Sequence, residues 1–284
     1  MKLSYAIVFL LLPVLLLAGD YSNYEHIKEK VEIEGKDPIT LVLDVDAGEV
    51  QVEKHALPGV ILVDVTYDEQ YYSVNVDYNK RKNKVRIHVD REHWNKMKDD
   101  NGKQEMECIV YLPPDIEMYM ETKLKAGELD MVLGGLDIVE FDLNMWAGEA
   151  NIDFDEPNLH VMEMLDVDTR VGEFNLHHLG NARFKRADIN GGIGEIHVDF
   201  TGAMEPDARS KVDLDIGEAT VVLPSDIGVQ INVSGITSFM SAKNIDRDFI
   251  KRGSHYYSEN YQDMDSRMYM RITPGLGELN IEME

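Results

Sequence analysis

The chain has 284 residues, with 53 acidic against 28 basic side chains, a formal charge of −25 and a single cysteine. That charge excludes nucleic acid as a partner, because phosphates would be repelled rather than neutralised. Cys108, alone, excludes an internal disulfide. The acidic residues are spread along the chain, which reads as a solvated exterior that discourages edge-to-edge pairing of strands.

Residues 1–19 read as a signal peptide. Lys2 supplies the positive start, Tyr5 to Leu17 an apolar run, and Ala18-Gly19 the small residues suited to cleavage. The run is short for a membrane span, which needs about 20 residues. Asp20 stands where a lipidated cysteine would have to be, so lipidation is rejected. The chain is expected to be exported, to a periplasm or to the cell surface.

Residues 20–105 read as an N-terminal β section. Pro38 to Val52, Gly59 to Tyr67, Tyr71 to Tyr78 and Lys84 to Val89 alternate apolar and polar residues, the mark of half-buried strands. Asn79-Lys80-Arg81-Lys82-Asn83 is a basic turn, and polar His93 to Lys103 reads as a loop. In Met106-Glu107-Cys108-Ile109-Val110-Tyr111-Leu112 the cysteine shares a side with Met106, Val110 and Leu112, and is expected to be a small buried hydrophobe.

Residues 106–234 are expected to form the rungs of a β-solenoid, and residues 235–284 further rungs and a cap. The signal is a recurring Gly-Glu pair at Gly48, Gly127, Gly148, Gly172, Gly194, Gly217 and Gly277. From Gly127 to Gly217 the spacings are 21, 24, 22 and 23 residues, the length of one coil whose strands stack about 4.8 Å apart. The residue before each glycine is apolar, as are the second and fourth after it, while the third is polar. Apolar positions one before and two after are three apart, so the in/out phase slips at the pair. A corner absorbs such a slip, and glycine reaches the positive φ that corners need. The expected fold is all-β: an elongated parallel solenoid of roughly 22-residue rungs.

After Gly217 the pairs stop for 60 residues. Thr237 falls where a corner glycine is due, and the 40 residues from there to Gly277 have room for two more turns. Arg252 to Tyr261 reads as loop, and an end of the solenoid is expected close to the C-terminus.

Four stretches carry a resemblance. They are Leu43-Asp44-Val45-Asp46-Ala47-Gly48-Glu49-Val50-Gln51-Val52, Leu165-Asp166-Val167-Asp168-Thr169-Arg170-Val171-Gly172-Glu173, Leu223-Pro224-Ser225-Asp226-Ile227-Gly228-Val229-Gln230-Ile231-Asn232-Val233 and Ile272-Thr273-Pro274-Gly275-Leu276-Gly277-Glu278-Leu279. In this order they resemble the bacterial toast-rack family, with its relatives ending in a LiaF-like cell-wall-active-antibiotics-response region. The resemblance covers nearly all of the chain after the leader, and the chain departs from it at Thr237. It implies a β-rich, secreted or membrane-anchored envelope protein, in some relatives tied to stress sensing, with no catalytic residues to carry over.

The sequence offers few candidates for chemistry. Stacked rungs would set Glu128, Glu149, Glu173, Glu195 and Glu218 one above another, to splay into water or to share a hard cation such as Ca²⁺. Solvent exposure is the expectation, and a calcium-stabilised solenoid the alternative. Gly191-Gly192-Ile193-Gly194-Glu195-Ile196 imitates a calcium-binding repeat but has Ile196 where aspartate is required. His177-His178, adjacent in a strand, would point opposite ways and make a poor metal site. No phosphate loop or nucleophile elbow is present.

No catalytic, cofactor-binding or metal-ligating residue is assigned, and a non-enzyme is expected. The expected role is an interaction scaffold or stress-sensing accessory with an envelope or membrane protein as partner. The alternative is an adhesin-like glycan binder using Tyr256, Tyr257, Tyr261 and Tyr269, or Tyr71, Tyr72 and Tyr78. Glycan binding requires exposed, coplanar tyrosines; protein binding requires an uncapped end or an apolar patch.

Overall fold

A computed structural model describes residues 24–92, 106–234 and 240–284. The leader, the loop expected at 93–103 and the rung expected around Thr237 lie outside the described residues. The strands are β1 (Tyr24–Glu32), β2 (Ile39–Lys54), β3 (Val60–Asp68), β4 (Tyr72–Asn79), β5 (Lys84–Arg91), β6 (Met106–Leu112), β7 (Glu117–Val132), β8 (Asp137–Asp153), β9 (Met164–His177), β10 (Arg186–Asp199), β11 (Ala208–Leu223), β12 (Gly228–Val233), β13 (Met240–Ile245), β14 (Phe249–Arg252), β15 (His255–Ser258) and β16 (Arg267–Met283). All belong to one sheet.

Strand β7 shows how a rung works. Met118, Met120, Thr122 and Leu124 point inward, then Leu129 and Met131 do. From Leu124 to Leu129 is five positions, an odd step, so Lys125 to Glu128 form the corner that turns the strand onto the second face of its rung. Gly127 sits there at φ +142, and an added Cβ would lie 1.9 Å from the Gly48 carbonyl oxygen of the next rung. The stacking of rung on rung therefore leaves room only for glycine, besides the backbone conformation that favours it.

Strands β7 to β11 stack in sequence order, all parallel, with Gly127, Gly148, Gly172, Gly194 and Gly217 in register. Gly48 of β2 continues that column on one side and Gly277 of β16 on the other. Inward residues of successive rungs fuse into one core, with Phe141 edge-on to Phe154 at 6.5 Å and Phe184 to Phe200 at 6.0 Å. The return loops are pinned by satisfied amides. Buried Asn158 accepts from the Ile138 N–H (3.0 Å) and donates to the Ile138 carbonyl (2.7 Å), while Asn181 donates to the Phe154 carbonyl (2.8 Å).

Both ends depart from sequence order. Strand β16 lies directly against β11, and β12 and β13 pair with its other edge. β12 and β13, on either side of the corner expected at Thr237, make one split outer rung, and in place of the two further turns expected before Gly277 the chain forms a hairpin and then β16. That hairpin is β14–β15, where a loop was expected over Arg252 to Tyr261. The last strand is second from the end, because it slots between β11 and the split rung. At the opposite end β2 is likewise inserted between β7 and a split rung, β5 plus β6. There β4 covers β5, while β3 and then β1 cover β6. At the C-terminal end β15 covers β12; among the described residues nothing pairs with the outer edge of β13. β13 carries a bulge between Met240 and Ala242 in its pairing with β16, together with Lys243, both devices that discourage strand addition.

Candidate functional site

The corner is where the structure and the sequence reading part company. Residues one before each glycine were expected to alternate into the core. The inward set instead ends three before the glycine, at Leu124, Met145 or Leu214, and resumes two after it. Ala47 is buried, but in the later rungs the residue one before is left partly or largely outside. In four successive rungs that residue is large: Val171, Ile193, Ile216 and Leu276 are 49%, 52%, 44% and 47% exposed. They are register partners of one another, so they form a continuous apolar ridge along the corner. Trp146, 47% exposed, stands at its upper end, with the Arg170 guanidinium 5.1 Å above its ring.

Two residues further along each rung stand the corner glutamates. Glu107, Glu49, Glu128, Glu149, Glu173, Glu195, Glu218 and Glu278 are successive register partners. All but the half-buried Glu278 are exposed, as expected of carboxylates that must splay into water. Among the described residues no group of three or more His, Cys, Asp or Glu could hold a metal ion. Beside them runs an amide ladder: Asn175 donates to Asn151, Asn151 to Asp130, Asn244 to Asn280 and Asn280 to Glu218, at 2.7–3.0 Å. On the other flank of the ridge Gly192 leaves an open groove of about 470 Å³, bordered by Asp168, Asn190, Asp213 and Asp215. Asp168 and Asp215 are exposed; Asp213 is paired with Lys211 at 2.5 Å.

The other sequence candidates fall elsewhere. β9 ends at His177, and His178 leaves the strand at φ 51 to enter the 3₁₀ turn Leu179–Ala182. The two rings therefore sit 6.4 Å apart rather than on opposite faces. The hydrogen bond that His178 Nδ1 donates to the Asp153 carboxylate (2.7 Å) raises the His178 pKa against its partial burial. Cys108 is fully buried, and burial pushes its thiol up to about 12. The tyrosines do not make an exposed, coplanar face. Tyr257 and Tyr261 meet edge-on at 5.0 Å, Tyr256 lies under Lys243 and Lys251, and Tyr72 is buried. Tyr71, Tyr78 and Tyr269 are half-buried.

A stacked parallel sheet with a glycine corner in every rung and an acidic, ridge-bearing edge is a repeat scaffold. The chain belongs to the toast-rack family. The N-terminal domain of toast_rack, DUF2154, matches residues 20–164, and the cell wall-active antibiotics response LiaF C-terminal model matches residues 170–281. No curated protein matches the chain. Among solved structures it is similar to a candidate cell adhesion protein from Clostridium sporogenes, 17% identical with a TM-score of 0.46, covering 92% of this chain and 100% of that one. It is similar also to a candidate adhesin from Bacteroides fragilis, 11% identical with a TM-score of 0.40, covering 90% and 97%.

Proposed function

We propose that this chain is a non-catalytic, exported envelope protein that acts as an interaction scaffold or stress-sensing accessory, with an envelope or membrane protein as partner. The observation that supports this reading is the exposed apolar ridge of Val171, Ile193, Ile216 and Leu276 on an otherwise strongly acidic molecule. A contiguous apolar patch in a polar rim is the usual mark of a protein contact surface. Membership of a family whose C-terminal model describes a cell wall-active antibiotics response supports the envelope setting, and the apolar run from Tyr5 to Leu17 supports export.

The test is crosslinking in the protein's own envelope, from a photoreactive residue placed at Ile193 and, as control, at Val132, which is also exposed but lies off the ridge. One stoichiometric envelope protein captured from position 193, not from 132, and lost in Ile216→Ser, is the expected result. Capture of glycan alone would replace this reading with the adhesin one.

A further inference from the structure

The ridge, as the contact surface of that scaffold reading, also specifies the chemistry of its partner. The same corner is closed in earlier rungs by Ala126 and Ala147, with Gly127 and Gly148 at φ +142 and +129 against +145, +143, +136 and +141 in the four ridge rungs. The fold thus makes the corner equally well with alanine, and four bulky aliphatic side chains left half in water are not a requirement of the turn. Leaving each half in water forgoes part of the stabilisation that full burial of such a side chain contributes.

Charge borders the ridge on both sides. Glu173, Glu195, Glu218 and Glu278 run along one flank, and exposed Asp168 and Asp215 lie along the other. The basic residue at the ridge, Arg170, is engaged on Trp146. A second copy docking ridge to ridge would bring carboxylates against carboxylates, and an anionic lipid surface would meet the same repulsion. A partner must present an apolar stripe edged with positive charge.

The spacing selects the shape of that stripe. Four ridge residues span three rung intervals, about 14 Å at about 4.8 Å each. Three turns of α-helix advance about 16 Å, so one apolar residue per turn stays close to one per rung. A partner strand laid along the axis would present same-side residues about 6.7 Å apart and drift by about 6 Å over the same length.

We propose that the corner formed by Val171, Ile193, Ile216 and Leu276 binds a basic amphipathic helix of a partner protein. The helix lies along the solenoid axis, with its apolar stripe on the ridge and its lysines or arginines on the flanking carboxylates.

The probe is a 14-residue leucine–lysine peptide with its leucines on one helical face, and as control the same peptide with glutamate in place of lysine. Both are titrated into the full chain carrying Trp94→Phe, so that Trp146 at the head of the ridge reports. The lysine peptide is expected to bind with a blue shift of Trp146 emission. The Ile193→Ser/Ile216→Ser double variant should weaken it at least tenfold, and Glu195→Gln/Glu218→Gln several-fold, more at low salt than at high. Both variants alter exposed side chains and should leave the fold intact, as urea melts would verify.

Equal binding to the double serine variant would overturn the proposal, since diffuse acidity would then hold the peptide. Equal binding of the glutamate peptide would also overturn it, as would ridge-dependent dimerisation in sedimentation or ridge-dependent binding to phosphatidylglycerol vesicles. If the peptide fails but Ile216→Ser still abolishes envelope crosslinking from position 193, the scaffold reading stands and the basic helix falls.

Discussion

The corner of the first rungs and the corner of the last ones share a backbone and differ in a side chain. Ala47, Ala126 and Ala147 stand before the glycine in β2, β7 and β8; Val171, Ile193, Ile216 and Leu276 stand there in β9, β10, β11 and β16. The change falls between the parts matched by the two family models, residues 20–164 and 170–281. What the glycine does is required of every rung. What the residue before it does belongs to one part of the molecule, and this separates a constraint of folding from a feature available for binding.

The largest expected effect tests the shared half of that statement. Gly127→Ala and Gly194→Ala would each place a Cβ within 1.9 Å of the neighbouring rung's carbonyl oxygen, 1.9 and 1.8 Å respectively, at a φ unfavourable to L side chains. Both should lose about 3 kcal/mol or more of stability in urea melts, by similar amounts. A tolerated alanine in either part would mean that its rungs can separate, and the corner would no longer be one structural device.

A smaller pair of effects tests the other half. Ile189 and Ile193 lie four residues apart in β10, one fully buried and the other 52% exposed. Ile189→Ala should cost about 2–5 kcal/mol, and Ile193→Ala about 0.5 kcal/mol or less. Equal costs in denaturant titrations would make the ridge structural packing. Ala147→Ile extends the ridge by one rung toward Trp146; stability should change by about 0.5 kcal/mol or less, while the leucine–lysine peptide binds a few-fold more tightly. Unchanged affinity would confine the contact to the four aliphatic rungs.

The rungs, their length and their glycine column were legible in the sequence, because a two-residue period and a recurring Gly-Glu phrase are imposed by the strand and its corner. The order of the rungs was not. Gly48 and Gly277 carry the same phrase as the rungs between Gly127 and Gly217, and nothing in it says which neighbour each meets, so the insertion of β2 and of β16 behind split outer rungs left no local trace. The ridge was hidden by parity: at a corner, an apolar residue three positions before another can face either way. The β14–β15 hairpin did leave a signal, since Gly253 at φ +64 sits in the tight turn between Arg252 and His255. A residue before Leu179-Gly180 that must turn left-handed gave none, and His178 was misplaced for that reason.

The smallest effect concerns the other outward face, where the change of character falls two rungs later, between β10 and β11. Glu121, Asp142, Asp166 and Asp188 are successive register partners, and the column then continues as Lys211 and Arg271. Partial burial raises the pKa of Asp166, with Asp142 and Asp188 adding to it; burial and Glu121 raise that of Asp142. A carboxyl whose folded pKa is raised favours the folded state in its protonated form. Its contribution is therefore full below the unfolded-state value of about 3.9, and is lost as pH rises through the folded value. At neutral pH the ionised Asp166 is a net cost, which solvent screening holds to a few tenths of a kcal/mol.

Asp166→Asn keeps the neutral shape and should stabilise the protein by that amount at pH 7. The gain should shrink toward zero as pH falls below the unfolded-state value and the wild-type carboxyl protonates in both states. A gain that stays flat with pH would assign the effect to packing rather than charge. Lys211→Gln, in the part where the column turns basic, should show no gain at any pH. If it does, the division of this face into an acidic and a basic stretch has no energetic meaning.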